Sequence, residues 1–249
     1  MQQYFVTESL TIGASVLLAE EDQYHLSRVM RVRVGDCFEV VDTRQLRWLA
    51  EVSQVDGASI QATVLEKLDQ ESSELPVEVA IACGLSKNDK LDWLVQKTTE
   101  TGAHTFYPVA MERDVVKWNQ KKAGKRLERL EKIAKEAAEQ SHRLFIPRVS
   151  YLESLDTLIH ESQSFNLKLI AYEETAKSGQ HSQLKQALQK LPPSSRILCV
   201  FGSEGGLSDK EVKTLKEAGF ISVSLGPRIL RAETAPVYLL SAISYQYEL

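Results

Sequence analysis

The chain has 249 residues, 43% apolar and 26% charged, an ordinary globular balance that fills a sizeable core without disulfides or a metal; at this length two domains are expected. The opening Met1-Gln2-Gln3-Tyr4-Phe5 lacks the blocks of a secretory signal, no run nears the roughly 18 apolar residues of a membrane span, and Cys37, Cys83 and Cys199 form no CxxC pair, which predicts a soluble cytoplasmic protein. The net charge of −4 argues mildly against a nucleic-acid partner, so the placement of charge is more informative than its sum.

Residues 4–6 open as a strand, and 20–30 read as a helix in which Tyr24, Leu26, Val29 and Met30 share a face. Strands follow at 38–41, 46–55 and 59–68, separated by Gly/Asp turns, and together they suggest a small barrel. The polar run 69–76 ends in Pro76 and reads as a linker. The pattern then changes to strands alternating with helices. An apolar strand at 77–83, with Cys83 as a small buried hydrophobe, leads to a helix started by a box-like Ser86-Lys87-Asn88-Asp89. That helix buries Leu91, Leu94, Val95 and Thr98 and stops at Gly102. A strand at 106–109 precedes an amphipathic helix at 123–140, built on Leu127, Leu130, Ile133, Ala134 and Ala137. Residues 113–148 hold eleven Lys/Arg against five Asp/Glu, leaving the rest of the chain about ten charges negative. A localised phosphate-binding face and a solvated helix laced with i,i+4 ion pairs account for this equally well. Strands at 167–172, 196–201 and 221–225 alternate with a helix capped by Ser208-Asp209-Lys210-Glu211 and ended by Gly219, and 234–247 closes the chain as a helix. Such alternation predicts an α/β domain with a mostly parallel sheet covered on both faces.

Ligands of open α/β sheets bind at loops leaving the carboxyl ends of the strands. Two loops stand out there: Gly202-Ser203-Glu204-Gly205-Gly206, and the run 225–234 with Arg228, Arg231 and Glu233. No Gly-Lys-Ser/Thr ending, GxGxxG, GxSxG or HExxH is present, which removes the common nucleotide, hydrolase and metalloprotease signatures, and no metal is expected. Taken alone, the glycine loop is equally a tight turn feeding a capped helix.

In combination the motifs are specific. FGSEGGLS followed by LGPRILRAETA resembles the SPOUT superfamily of knotted methyltransferases, and within it the ribosomal RNA small subunit methyltransferase E (RsmE) family, whose pair reads GPEGG and LGPRxLRxET. Gln96-Lys97-Thr98-Thr99-Glu100-Thr101-Gly102 resembles that family's QKxxELG. Ala138-Glu139-Gln140-Ser141-His142-Arg143 resembles its EQsxR, and His25-Leu26-Ser27-Arg28-Val29-Met30-Arg31 its HxxxVLR. Ser203 departs from the usual proline, and Leu85-Ser86-Lys87-Asn88 is a loose version of the segment after the first strand.

The resemblance implies a PUA-like β-barrel RNA-binding domain over residues 1–72 and a trefoil-knotted α/β methyltransferase domain over 73–249. It implies S-adenosylmethionine as cofactor, held by Gly202, Ser203, Glu204, Gly205, Gly206, Leu225, Gly226, Ile229, Leu230 and Thr234. The partners implied are 16S rRNA in the small ribosomal subunit, methylated at N3 of one uridine (the family's U1498), and a second copy of the chain in a homodimer. Arg28, Arg31 and Arg33 become candidates for phosphate contacts. Uridine N3 carries a proton that must leave, so Arg231 and Arg143 are expected to favour the anion, with Glu139 or Glu233 as proton acceptor. A ribose 2′-O methyltransferase of the same superfamily and a non-catalytic assembly factor are the competing readings.

Overall fold

The computed structural model describes residues 1–69, 72–87, 89–172 and 182–249. Gln70 and Glu71 of the expected linker, and Asn88 of the expected cap, lie outside them. Two compact units emerge: Met1–Glu74 together with Ala138–Ile146, and Leu75–Ala137 together with Pro147–Leu249.

The first unit is a five-stranded sheet in the order β1-β3-β4-β5-β2, from β1 (Gln3–Phe5), β2 (Ser15–Val16), β3 (Cys37–Val41), β4 (Arg47–Asp56) and β5 (Ser59–Lys67). β1 runs parallel to β3 and the other pairs are antiparallel. Alternation puts Trp48, Ala50 and Val52 of β4 and Ile60, Ala62 and Val64 of β5 into one core with Tyr4, Phe38 and Val40. The expected helix at 20–30 divides. Glu20–Tyr24 is α-helical (α1), whereas His25–Met30 is a π-helix ended by Arg31 in the left-handed region at φ 53°. Wider winding breaks the 3.6-residue periodicity, so only Leu26 of the four expected apolar residues is buried, and Tyr24, Val29 and Met30 face solvent.

The segment Ala138–Ile146 is held to this unit by polar contacts. Arg47 Nη2 and Ser73 Oγ both donate to the His142 carbonyl, at 2.7 and 2.6 Å, and Gln3 Nε2 donates to the Arg143 carbonyl at 2.7 Å. The Arg143 side chain is 2% exposed, and its guanidinium pairs with Glu74, whose other oxygen accepts from the Leu144 N–H at 2.7 Å. His142 adopts φ 53°, which reverses the chain just after the helix.

The second unit is a six-stranded, all-parallel sheet in the order β11-β9-β10-β6-β7-β8. Its strands are β6 (Glu78–Gly84), β7 (Thr105–Val109), β8 (Arg148–Val149), β9 (Leu167–Ala171), β10 (Arg196–Phe201) and β11 (Ile221–Val223). The described helices are α2 (Lys90–Glu100), α3 (Gln120–Gln140), whose last turn enters the first unit, α4 (Leu155–Glu161), α5 (Gln183–Gln189), α6 (Asp209–Glu217) and α7 (Thr234–Tyr247). Both sheet faces are covered. Val79, Ile81, Cys83, Ile197, Cys199 and Phe201 enter one core, while Ala80, Ala82, Leu198 and Val200 enter the other. The strand β8 and the helices α4 and α5 carry too little periodicity to have been expected. The box expected at Ser86 does not form: α2 starts at Lys90 with Asp89 as a cap residue lacking a side-chain hydrogen bond. The box at Ser208 does form, reciprocally with Glu211. Among the described residues no helix is long and apolar enough to cross a membrane, and no group of His, Cys, Asp and Glu could hold a metal.

Candidate active site

A cavity of about 870 Å³ opens at the carboxyl ends of β9, β10 and β11 in the second unit. Its walls are the β10–α6 loop and the β11–α7 loop, joined by Arg113 after β7 and by Lys90 at the start of α2.

The glycine loop is shaped by contacts that no side chain could share. A Cβ on Gly202 would lie 2.5 and 2.7 Å from the Gly206 backbone, and one on Gly205 would lie 2.6 Å from the Arg113 carbonyl. The Gly206 N–H donates to the Ser203 carbonyl at 2.9 Å, with Gly206 at φ 69°, closing a tight turn. Gly202→Ala is therefore expected to force backbone apart, costing about 1–3 kcal/mol of stability as overpacking does. Cofactor affinity should fall with it, by titration calorimetry, while a melt reports the fold; unchanged affinity would mean that the turn does not shape the site.

Behind this loop the capping box does more than start α6. Glu211 Oε2 accepts from the Ser208 N–H at 2.7 Å, and Oε1 accepts from the Glu112 N–H at 2.8 Å. Ser208 Oγ donates to Glu112 at 2.7 Å and Arg113 Nη1 donates to the Leu207 carbonyl at 2.9 Å. The β7–α3 and β10–α6 loops are thus fastened together.

Asp114 adds a third loop. Its Oδ2 accepts from the Leu85 N–H at 3.1 Å and the Met111 N–H at 2.8 Å. Its Oδ1 and the Ser203 hydroxyl are both buried without a well-formed hydrogen bond, facing one another across Gly84, whose Cβ would stand 2.8 Å from that oxygen. Burial pushes the Asp114 carboxyl above the usual carboxylate range, against the backbone N–H groups and the Ser203 hydroxyl that favour its ionised form. The folded state therefore binds this proton more tightly than the unfolded state, so its stabilising effect is full at low pH and is lost as pH rises through the raised pKa. Asp114→Asn keeps an acceptor and gives Ser203 a donor. Its melting temperature relative to the parent is expected to improve as pH rises from 4, and a gap constant with pH would refute the assignment.

The charged side chains at the cavity differ in commitment. Lys90 Nζ pairs with Glu204 at 3.1 Å and with Glu233 at 3.5 Å, bridging the two loops, and these carboxylates hold the Lys90 pKa above its ordinary value. Arg228 and Arg231 are exposed and, among the described residues, have no ion-pair partner. The Arg231 carbonyl accepts from the Thr234 and Ala235 N–H groups, which fixes its backbone at the start of α7 while the guanidinium stays uncommitted.

Of the expected cofactor residues, Gly202, Ser203, Glu204, Gly205, Gly206, Leu225, Ile229 and Leu230 line the cavity. Gly226 instead turns the chain at φ 105°, tied to Ser224, and Thr234 is the exposed first residue of α7. Arg231 and Glu233 line the cavity too. Arg143 and the half-buried Glu139 belong to the first unit, where Arg143 is committed to Glu74. Arg28, Arg31 and Arg33 are exposed on the first unit around the π-helix, beside the exposed Val29, Met30 and Val34. Lys90 and Arg113 were not expected as cavity residues, whereas Arg228 lies in the expected run 225–230. A signal for the first two existed, since each follows the carboxyl end of a parallel strand.

The chain matches known proteins over two regions. Residues 73–244 match the family model described as an RNA methyltransferase domain, and residues 18–65 match the RNA methyltransferase PUA domain. The ribosomal RNA small subunit methyltransferase E of Bacillus subtilis (strain 168) is 43% identical, over 100% of this chain and 98% of that protein. Its namesake from Synechocystis is 35% identical over 94% of this chain and 74% of that protein. The crystal structure of a ribosomal RNA small subunit methyltransferase E from Neisseria gonorrhoeae, bound to S-adenosyl methionine, superposes with a TM-score of 0.85 at 29% identity, covering 99% of this chain and 98% of that one. The chain belongs to the ribosomal RNA small subunit methyltransferase E family.

Proposed function

We propose that this protein transfers the methyl group of S-adenosylmethionine to N3 of one uridine in the 16S RNA of the small ribosomal subunit. The observation that carries the reading is the cavity walled by the glycine loop and the 225–233 loop, in a family whose N. gonorrhoeae member is bound to that cofactor. The residues present fit the group. The volume lies within the range of small-molecule sites. Gly202 and Gly205 bring backbone close to a ligand, and Leu225, Ile229 and Leu230 offer apolar surface for the faces of a purine.

When bound, S-adenosylmethionine supplies a sulfonium methyl that is already a strong electrophile, so the protein contributes position and electrostatics. The turn 202–206 holds the ligand's polar edge on backbone groups. Arg231, uncommitted at the rim, stabilises the anion left when N3 gives up its proton. Glu233, held by Lys90, is the nearer of the two candidate acceptors to that arginine in the chain and shares its cavity. The same proposal includes an RNA-binding role for residues 1–72 through Arg28, Arg31 and Arg33, a trefoil-knotted threading within 73–249, and action in the cytoplasm. It also includes a homodimer. α7 buries Leu239, Leu240 and Ile243 yet leaves Tyr238 and Tyr245 exposed, as does the adjoining loop with Ile229. A monomer in sedimentation at micromolar concentration would remove that part.

The deciding experiment incubates the protein with cofactor and small subunits from cells lacking this gene, then reverse-transcribes the RNA. A methyl on N3 blocks the pairing edge, so one cofactor-dependent stop at a uridine is expected. Label transfer without a stop would point to a ribose, and no transfer with cofactor bound would overturn the substrate.

A further inference from the structure

A second cavity, of about 230 Å³, lies in the same unit between α2, α3 and the β7–α3 loop. Trp118, Asp92, Lys87, Lys122 and Arg126 line it. Three features of it are not accounted for by packing alone.

The first is charge. Lys117, Lys121, Lys122, Lys125 and Arg126 have no ion-pair partner among the described residues, whereas Arg129, one turn further along α3, pairs with Asp92. These cations crowd the amino end of a 21-residue helix whose first turn holds no acidic residue. The helix dipole is positive there, so the arrangement is unfavourable for the chain alone and becomes favourable when an anion arrives.

The second is a buried acceptor. Asp92 is 8% exposed, its Oδ2 accepts from Arg129 at 2.7 Å, and its Oδ1 is buried with no hydrogen-bond partner. A residue that lines the cavity thus keeps acceptor capacity that the chain itself does not fill. The third is a half-buried Trp118, tilted against Tyr151 at 5.2 Å, which gives the cavity an aromatic surface.

The cavity also adjoins the active site through one corner of the fold. Lys87 lines it, and the Lys87 N–H donates to Glu204 of the glycine loop at 3.4 Å, while Lys90, three residues on, lines the cofactor cavity.

We infer that this second cavity is a nucleotide subsite for the RNA substrate, taking one unpaired nucleotide near the one methylated. Its phosphate lies among Lys87, Lys122 and Arg126, its base lies against Trp118, and an exocyclic amino group donates to Asp92. Adenine, cytosine and guanine carry such a group and uracil does not, so the subsite selects against uracil. The inference rests on the RNA-methyltransferase reading, yet its test needs neither cofactor nor turnover.

The test is fluorescence anisotropy of the full chain with labelled single-stranded oligoribonucleotides, oligo-adenylate and oligo-uridylate, over a salt series. Lys122→Gln/Arg126→Gln removes partnerless side chains, so melting should be unchanged or slightly raised. Losing that one neutralised phosphate should lower the slope of log affinity against log salt by about 0.7, the value per phosphate on single strands. Asp92→Asn converts the lone acceptor into a group that also donates, and should erase the preference for adenylate over uridylate. Trp118→Leu should weaken both oligonucleotides by about tenfold or more, the usual worth of one stacked base. A salt slope untouched by the double substitution, or a base preference untouched by Asp92→Asn, overturns the subsite while methylation of small subunits by the parent protein stands. If the parent methylates no RNA yet these variants behave as expected, the subsite stands and the assigned reaction falls.

Discussion

Arg143→Ala is expected to destabilise the first unit by about 3–5 kcal/mol, the cost of stripping one partner from a buried ion pair. Glu74 is the reason. Its carboxylate accepts from the Arg143 guanidinium and from the Leu144 N–H, and its side chain is only 12% exposed. Without the arginine, that charge stays in a place water barely reaches. The Arg143 guanidinium also lies 4.5 Å from the Phe145 ring, so a short replacement loses packing as well as charge. Urea denaturation of the full chain, followed by a probe on the first unit, measures the loss. The double change Glu74→Gln/Arg143→Met removes both charges and keeps the volume, and should recover much of it. If Arg143→Ala instead kept its stability and lost only turnover, the arginine would be a catalytic group after all.

That arginine marks where a sequence is readable and where it is not. The motif 138–143 is plain in the chain, and a cationic residue in a methyltransferase motif invites a chemical role. Nothing local reveals that it pairs with Glu74, some seventy residues earlier and within the same unit. The parallel strands were legible because burial on both faces makes continuous apolar runs, as in Ile197, Leu198, Cys199 and Val200. The start of α6 was legible because a capping box is a local device, and α7 because its apolar residues run on towards Tyr247 and its one proline, Pro236, falls in the first turn, where it removes no helical hydrogen bond. The π-helix was not, since one extra residue per turn leaves composition untouched while turning Tyr24, Val29 and Met30 to solvent. The two-residue strand β8 fell below any periodicity. At the candidate active site the two loops were legible as glycine and charge between a strand and a helix. Lys90 and Arg113 were not, because they reach the cavity from other strands' ends and only the order of strands in the sheet brings them there.

Arg231→Ala is expected to lower kcat by about 10²–10³, the usual effect of removing one donor aimed at developing negative charge, with the melting temperature unchanged. The contrast with its neighbour is what makes the prediction sharp. Glu233 and Glu204 both answer to Lys90, so altering either carboxylate disturbs the pair that joins the two loops, and binding and turnover should change together. Arg231 disturbs nothing of that kind. Its backbone is fixed by the first turn of α7, and its guanidinium has no ion-pair partner among the described residues. A charge kept uncommitted at the rim of a cavity contributes little to the resting fold and is ready for a group that becomes anionic only during reaction. Arg231→Lys should recover only part of the rate, because an ammonium supplies the charge without the planar fork that can meet two acceptors of a uracil ring at once. Single-turnover rates with saturating cofactor and subunits, beside calorimetric cofactor affinities, separate these cases. Normal turnover in Arg231→Ala would remove the arginine from the chemistry and leave Arg113 and Arg228 as the cavity's remaining arginines.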